Sequence, residues 1–304
     1  MRTRGLVVGA GGFLARHVVQ RMVGNTFCDL VTVGRDSSPP FVGCEHHSLD
    51  CGDLAGLQAV IAAVEPDWIV SLAGSSGPGF GEMLRYNVEV AEVVLSSAAE
   101  LKKSAPVRIL LAGSAAEFGV PTKLPVDEVA DLQPCNEYGL TKVMQTQLAS
   151  YYRRIAADRL RISTAHFFNL IGPGSPSHLV FGSFVQQLAQ SNLSSTLRVG
   201  NLESERDFVH VKDAAEAVAA IISLEEPAPA YVVSSGRAVR IRDLLEHLIG
   251  ISGRNVEIET DPTRKATFDV PSIFGNSSLL TEQSGWAPTR TPEIAIDEMW
   301  EERE

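Results

Sequence analysis

The segment Gly9-Ala10-Gly11-Gly12-Phe13-Leu14-Ala15 constrains this chain more than any other. It separates an apolar run, Leu6-Val7-Val8, from Phe13 to Val23, whose apolar spacing is that of a helix. A strand that passes into a helix through glycines leaves backbone N–H groups free at the helix N-terminus. The peptide dipoles also leave a partial positive charge there, so the junction suits a phosphate. Gly9 permits the tight turn, Gly12 lets the backbone approach a pyrophosphate, and Ala15 keeps the helix close to the sheet. Phe13 and Leu14, next in the chain, are placed against the same ligand. An ordinary strand-to-helix turn carries similar residues, so the context decides.

That context is an alternation of strand and helix patterns. Leu30 to Val33 reads as a second strand, Asp53 to Val64 as a helix, and Trp68 to Leu72 as a buried strand. Val88 to Lys102 reads as a helix, Arg108 to Leu111 as a strand, Tyr138 to Ala157 as a long helix, and Arg161 to Ala165 as a further strand. Such alternation implies a parallel sheet covered on both faces, and right-handed crossovers make it doubly wound. The expected fold is α/β, a Rossmann-type doubly wound parallel sheet with a smaller C-terminal α/β substrate-binding domain. Residues 1–170 form the dinucleotide-binding part, with about 205–235 returning to it. Residues 171–304, where the alternation becomes irregular, mainly form the substrate-binding part.

Composition narrows the partners. The net charge is −11 and no long basic run occurs, which argues against nucleic acid and anionic membrane surfaces. No apolar stretch approaches the ~20 residues of a membrane span. The four cysteines, Cys28, Cys44, Cys51 and Cys135, lack metal-ligand spacing. No metal is expected, and the thiols read as reduced residues of a cytoplasmic protein.

The second strand ends Val33-Gly34-Arg35-Asp36. A small residue at the tip followed by a guanidinium suits the 2′-phosphate of NADP, with NAD the second choice. Asp50-Cys51, after Ser48-Leu49, is placed at the adenosine. Asp50 either accepts a bond from the adenine amino group or caps the helix that starts near Asp53. Leu72-Ala73-Gly74 ends the fourth strand with small residues that suit a cofactor backbone.

Tyr138 and Lys142 stand four apart on one helix and share a face. A phenol with pKa near 10 is a poor base, and a nearby ammonium favours its ionised form. Ser114 follows the strand Ile109-Leu110-Leu111 and can orient a substrate oxygen beside Tyr138. A glycine loop, a strand-end serine and a Tyr-xxx-Lys pair in one chain point to catalysis by Ser114, Tyr138 and Lys142.

This set resembles the extended short-chain dehydrogenase/reductase family, of the NAD-dependent epimerase/dehydratase type, whose members act on nucleotide-activated sugars. The resemblance covers nearly the whole chain and includes Asn87, Phe167-Phe168-Asn169-Leu170-Ile171-Gly172-Pro173, and Arg206-Asp207-Phe208-Val209-His210-Val211-Lys212-Asp213. It implies that Lys142 binds the nicotinamide ribose and that Phe168 lies by the nicotinamide. It further implies that Asn169 and Arg206 hold the substrate diphosphate. Ser75, Val199, Asn201 and Arg264 complete the implied substrate set. Val199-Gly200-Asn201-Leu202 is similar to the GDP-mannose branch of the family.

Dehydratases of the family carry an acidic residue one or two places after the catalytic Ser or Thr. Here those places are Ala115 and Ala116, and Glu117 is expected to point the other way along an extended segment. The chemistry left is 4-keto reduction of a 4-keto-6-deoxy sugar nucleotide or 4-epimerisation; a non-catalytic NADP-binding regulator is the reading from another class. Relatives often carry Arg where His166 stands, and His166 reads as a satisfied strand histidine. The resemblance also implies a homodimer through the helices 88–102 and 138–157, with Leu95, Leu101, Met144 and Leu148 as apolar positions.

Overall fold

The computed structural model describes residues 3–23, 28–37, 42–190, 196–261 and 270–303. In chain order the strands are β1 (Thr3–Val8), β2 (Cys28–Gly34), β3 (Glu45–Ser48), β4 (Trp68–Ser71), β5 (Val107–Ser114), β6 (Leu160–Phe167) and β7 (Asn169–Ile171). They continue as β8 (Thr196–Val199), β9 (Glu205–Arg206), β10 (Phe208–His210), β11 (Ala230–Val233), β12 (Val239–Arg240), β13 (Glu257–Thr260) and β14 (Ser272–Ile273). The helices are α1 (Phe13–Val23), α2 (Leu54–Val64), α3 (Phe80–Met83), α4 (Val90–Glu100) and α5 (Glu137–Ile155), then α6 (Val180–Ala189), α7 (Val211–Ser223), α8 (Ile241–Ser252), α9 (Ser278–Ser284) and α10 (Pro292–Glu301).

The main sheet has seven strands in the order β11-β6-β5-β4-β1-β2-β3, and every neighbouring pair is parallel. The order reverses at β1, so a crevice opens beyond the carboxyl ends of β1 and β4, where ligands of open α/β sheets bind. Alternation along each strand feeds both faces. Val7 and Leu110 enter a core with Val18 and Val218, under α1 and α7. Leu6 and Ile109 enter a second core with Ile61, Val94 and Ala149, under α2, α4 and α5. A third core, around Phe181, Phe184, Leu245, Ile296 and Trp300, joins α6, α8 and α10. The irregular stretch after residue 170 therefore has an apolar interior of its own, while β11 returns to the main sheet.

The helix expected over 88–102 begins earlier. Phe80–Met83 is helical, Leu84–Glu89 forms a π-turn, and α4 then runs to Glu100. The glycines at 79 and 81 mask this start in the sequence, and the π-turn shifts the register that periodicity would reveal. The segment after Ser114 is not extended either. Ala115–Glu117 is a turn of 3₁₀ helix with Ser114 as its N-cap.

Candidate active site

The glycine loop is built by close approach. Gly9 has φ +86°, and a Cβ there would lie 2.6 Å from the Ala73 backbone nitrogen. The N–H groups of Gly9 and Ala10 both donate to the Val33 carbonyl at 2.9 Å, which ties the loop to β2. Gly34 is small for the same reason, since its Cβ would come within 3.3 Å of the Gly11 nitrogen. The result is a cradle of backbone at the N-terminus of α1, of the form that accepts a pyrophosphate.

Three cavities run along the carboxyl edge of the sheet. The first, about 660 Å³, is lined by Gly9, Gly12, Arg35, Asp50, Cys51, Ala73 and Arg85 among others. The second, about 590 Å³, is lined by Phe13, Leu14, Ser114, Tyr138, Lys142, Phe168, Asn169 and Arg206 among others. Gly12, Leu72, Gly74 and Ser75 line both, so the two are continuous. A third, about 410 Å³, lies around His178, Ser183, Phe184, Gly200 and Asn201, and Leu179 is common to it and the second. Together they form a trough from Arg35 past Tyr138 to Asn201. The residues expected to hold a dinucleotide converge on its first two parts, and the cradle at Gly9 fits that group.

In the middle part Lys142 is almost wholly buried. Its Nζ donates to the Ala112 carbonyl at 2.9 Å and to Gln145 Oε1 at 3.1 Å. An ammonium has three donors, so one remains for a ribose hydroxyl. Burial lowers its pKa to about 8, against a smaller opposing effect from the Glu117 charge. Burial raises the pKa of Tyr138, the Ser114 hydroxyl beside it opposes that shift, and Glu117 adds to it. Burial and the Glu117 charge thus work against ionisation of the phenol, and Ser114 works for it. The ammonium is bonded to Ala112 and Gln145.

Backbone approach also sets α5. Asn136 caps it by accepting the Gly139 N–H at 2.8 Å. A Cβ on Gly139 would lie 2.4 Å from the Ala116 carbonyl oxygen, so the glycine after Tyr138 lets the helix meet the serine turn.

A family model described as "NAD dependent epimerase/dehydratase family" matches residues 5–234. The chain belongs to that family. It is 30% identical over 186 residues to GDP-6-deoxy-D-mannose reductase of Pseudomonas aeruginosa, a match covering 59% of this chain and 60% of that protein. The chain thus spans less than two thirds of that relative. It is 27% identical over 301 residues to dTDP-6-deoxy-L-talose 4-dehydrogenase (NAD(P)(+)) of Kitasatospora kifunensis, covering 97% and 93%. The solved structure of RMD from Pseudomonas aeruginosa complexed with NADPH superposes with a TM-score of 0.84 at 25% identity, covering 99% of this chain and 98% of that one.

The placements can be stated residue by residue. Gly9, Gly12, Phe13, Leu14, Arg35, Asp50, Cys51, Leu72, Ala73, Gly74, Tyr138, Lys142 and Phe168 all line the first two cavities. So do Ser75, Asn169 and Arg206, while Asn201 lines the third. Val199 does not point a side chain into the trough. It is wholly buried in the third core, because alternation along β8 turns it inward. Arg264 lies outside the described residues. Asp50 does not cap α2; Asp53 does, accepting the Gly56 N–H. Asp50 accepts instead from the Tyr86 hydroxyl at 2.8 Å and the Gly52 N–H at 2.9 Å. The Gly52 bond leads in holding its carboxyl below the usual range.

Sequence reasoning named Asn87 and the segment holding Asp207 but gave neither residue a role. Asn87, wholly buried, accepts the Ser75 N–H and donates to the Ser75 carbonyl and the Thr141 hydroxyl, all at 2.9 Å. It ties the loop after β4 to the catalytic helix. The buried Asp207 carboxylate accepts N–H groups from Ser235, Gly236 and Gly275 and the Ser235 hydroxyl. That joins two loops behind Arg206. Their roles are not legible in the sequence because their partners lie 12 to 68 positions away. Among the described residues no helix is long and apolar enough to cross a membrane.

Proposed function

We propose that the protein is an NADPH-dependent reductase of a nucleotide-activated 4-keto-6-deoxy sugar, GDP-4-keto-6-deoxy-D-mannose foremost. The observation that carries this reading is the convergence of Ser114, Tyr138 and Lys142 on one cavity with Phe168, Asn169 and Arg206, continuous with the glycine cradle. When bound, NADPH supplies the hydride that reaches C4. The Ser114 hydroxyl hydrogen-bonds the ketone oxygen and holds it toward Tyr138. Tyr138, kept protonated by burial, donates its proton to that oxygen as negative charge develops there. Lys142 donates to the ribose from a fixed position. Arg206 and Asn169 hold the diphosphate, so remote binding energy places C4.

The dehydratase reading is disfavoured by the cavity wall. Ala115 and Ala116 line it, whereas Glu117 is wholly buried and takes the Ser114 N–H, the Thr146 hydroxyl and His166. Arg35 beside Gly34 supports NADP over NAD, since a guanidinium can clasp a 2′-phosphate with paired bonds. For the substrate end, the pocket of His178, Phe184 and Asn201 offers an aromatic wall and an amide to a base. The GDP preference also follows the match to the reductase of Pseudomonas aeruginosa. We take residues 1–170 with 205–235 as the dinucleotide-binding part and 171–304 as mainly substrate-binding.

The reading includes a cytoplasmic homodimer. Of the four apolar positions expected, Met144 is the one that favours it. Leu95 is wholly buried in the core and Leu101 and Leu148 pack against it, whereas Leu140, Met144, Tyr151 and Ile155 are exposed. Their spacing puts them on one stripe of α5. Free thiols at Cys28, Cys44, Cys51 and Cys135 suit a reducing compartment.

The test is absorbance at 340 nm. A steady loss on mixing NADPH with the keto sugar, together with preferential thermal stabilisation by GDP over UDP, dTDP and CDP, is the expected result. Turnover without added cofactor, on tightly held NAD, would instead indicate a 4-epimerase.

A further inference from the structure

Glu117 and His166 lie behind the reacting groups and line none of the three cavities. The pair is buried, with 0% and 4% side-chain exposure, and Glu117 Oε1 is 3.1 Å from His166 Nδ1. Glu117 Oε1 also accepts the Ser114 N–H at 2.8 Å, and Oε2 accepts the Thr146 hydroxyl at 2.7 Å. One carboxylate thus holds the backbone of the reacting serine, the helix that carries Tyr138 and Lys142, and β6. Ser114 and Glu117 form a reciprocal cap across the turn.

The surroundings are shaped around this pair. Gly113 has no Cβ where one would fall 2.7 Å from Glu117 Oε1 and 3.0 Å from His166 Nδ1. The His166 ring lies against Phe118, 5.1 Å between centroids, and Phe118 stacks on Phe168, which lines the central cavity. A buried carboxylate–imidazole contact, even when both groups are charged, contributes little net stability compared with apolar side chains of similar volume. Its three attachments instead end on elements that must keep a fixed spacing for proton transfer.

We propose that the Glu117–His166 pair is a positioning device that sets Ser114 against Tyr138 and Lys142. It rests on the reductase reading only for its kinetic test. A second consequence is electrostatic. The groups around the phenol are Lys142 on its own helix, Cys135 just before that helix, Glu117 on the serine turn, His166 on β6 and Arg206 across the cavity. Among them Glu117 is the negative charge that opposes loss of the phenol proton. Burial works against the ionised form of Glu117. The bond and charge of His166, with the Thr146 and Ser114 bonds, outweigh it and hold the carboxyl below its ordinary value.

The experiment compares Glu117→Gln and Thr146→Val with the wild type. In Glu117→Gln the negative charge is lost, and the amide keeps the Ser114 N–H only by turning its own N–H toward Thr146, whose hydroxyl must then reverse from donor to acceptor, so kcat should fall about tenfold while KM and NADPH affinity hold within about twofold. Thr146→Val, which keeps the pair and loses one bond, should show a smaller loss of kcat. Independently of any substrate, the phenolate absorbance of Tyr138 near 295 nm, isolated by subtracting Tyr138→Phe, should titrate at lower pH in Glu117→Gln. Wild-type kcat in both variants with an unmoved Tyr138 titration would overturn the proposal. If Glu117→Gln does not fold, Thr146→Val decides, lowered kcat supporting the proposal and wild-type kcat overturning it. If the wild type shows no NADPH turnover, the reductase reading fails and the phenol titration alone decides this proposal.

Discussion

The two ends of the trough grip their ligand by different means. At the Gly9 end the binding surface is mostly main chain, with the amides of the turn and α1 set by close contacts to Ala73 and Val33. At the Arg206 end it is side chains; the Arg206 guanidinium donates to the Glu205 and Val270 carbonyls, and Asp207 ties together the loops behind it. Main-chain binding tolerates almost no substitution and discriminates little among dinucleotides. Side-chain binding can be retuned one residue at a time. The difference explains how members of one family keep a cofactor cradle and vary their sugar.

Substitutions can test that contrast. The largest effect belongs to the junction between the ends. Tyr138→Phe should lower turnover by about 10²-fold or more with both ligands still bound, as stopped-flow and binding titrations would show; near-normal turnover would remove Tyr138 from the chemistry. Arg206→Ala should raise KM for the nucleotide sugar by about 10- to 100-fold, the worth of a charged hydrogen bond, and leave NADPH affinity unchanged in calorimetry. Gly9→Ala should do the reverse. It loses cofactor binding and destabilises the fold by about 1–3 kcal/mol in denaturant titration, because it strains a positive φ and crowds Ala73. Arg35→Ala should weaken NADPH by about tenfold and leave NADH as it was, since only one ligand carries the 2′-phosphate.

The smallest effect is one of pH. Lys142, held down to about 8 by burial, loses its charge as pH rises through that value. The basic limb of kcat/KM should therefore fall near pH 8 and move upward in Lys142→Arg, whose guanidinium keeps its proton. A limb that stays in place would assign it to another group.

The same contrast governs what the sequence reveals. The glycine turn, the strand-end Ser114 and the Tyr138/Lys142 pair are local patterns, and each lines the cavity expected of it. The parallel sheet is legible for a similar reason, since its strands are short apolar runs between helix patterns. What escaped depends on distant partners. Glu117 was expected on an extended segment because the capping turn that folds it inward is stabilised by Thr146 and His166. Val199 faces the core because of its place in β8, which adjacency to Asn201 does not disclose. The early start of the helix before α4 is hidden by Gly79 and Gly81. The exposed stripe of α5 follows steps of four, seven and four, from Leu140 through Met144 and Tyr151 to Ile155.

Asn87 has a wider consequence. Because this one amide fastens the Ser75 peptide to Thr141, the loop after β4 and α5 form a single rigid bracket. Neither can yield alone to a bulkier or differently shaped ligand. Accommodation would fall to other lining residues of the central cavity, such as Leu170, Leu179 and Val270, and a change of ligand preference would be sought there first.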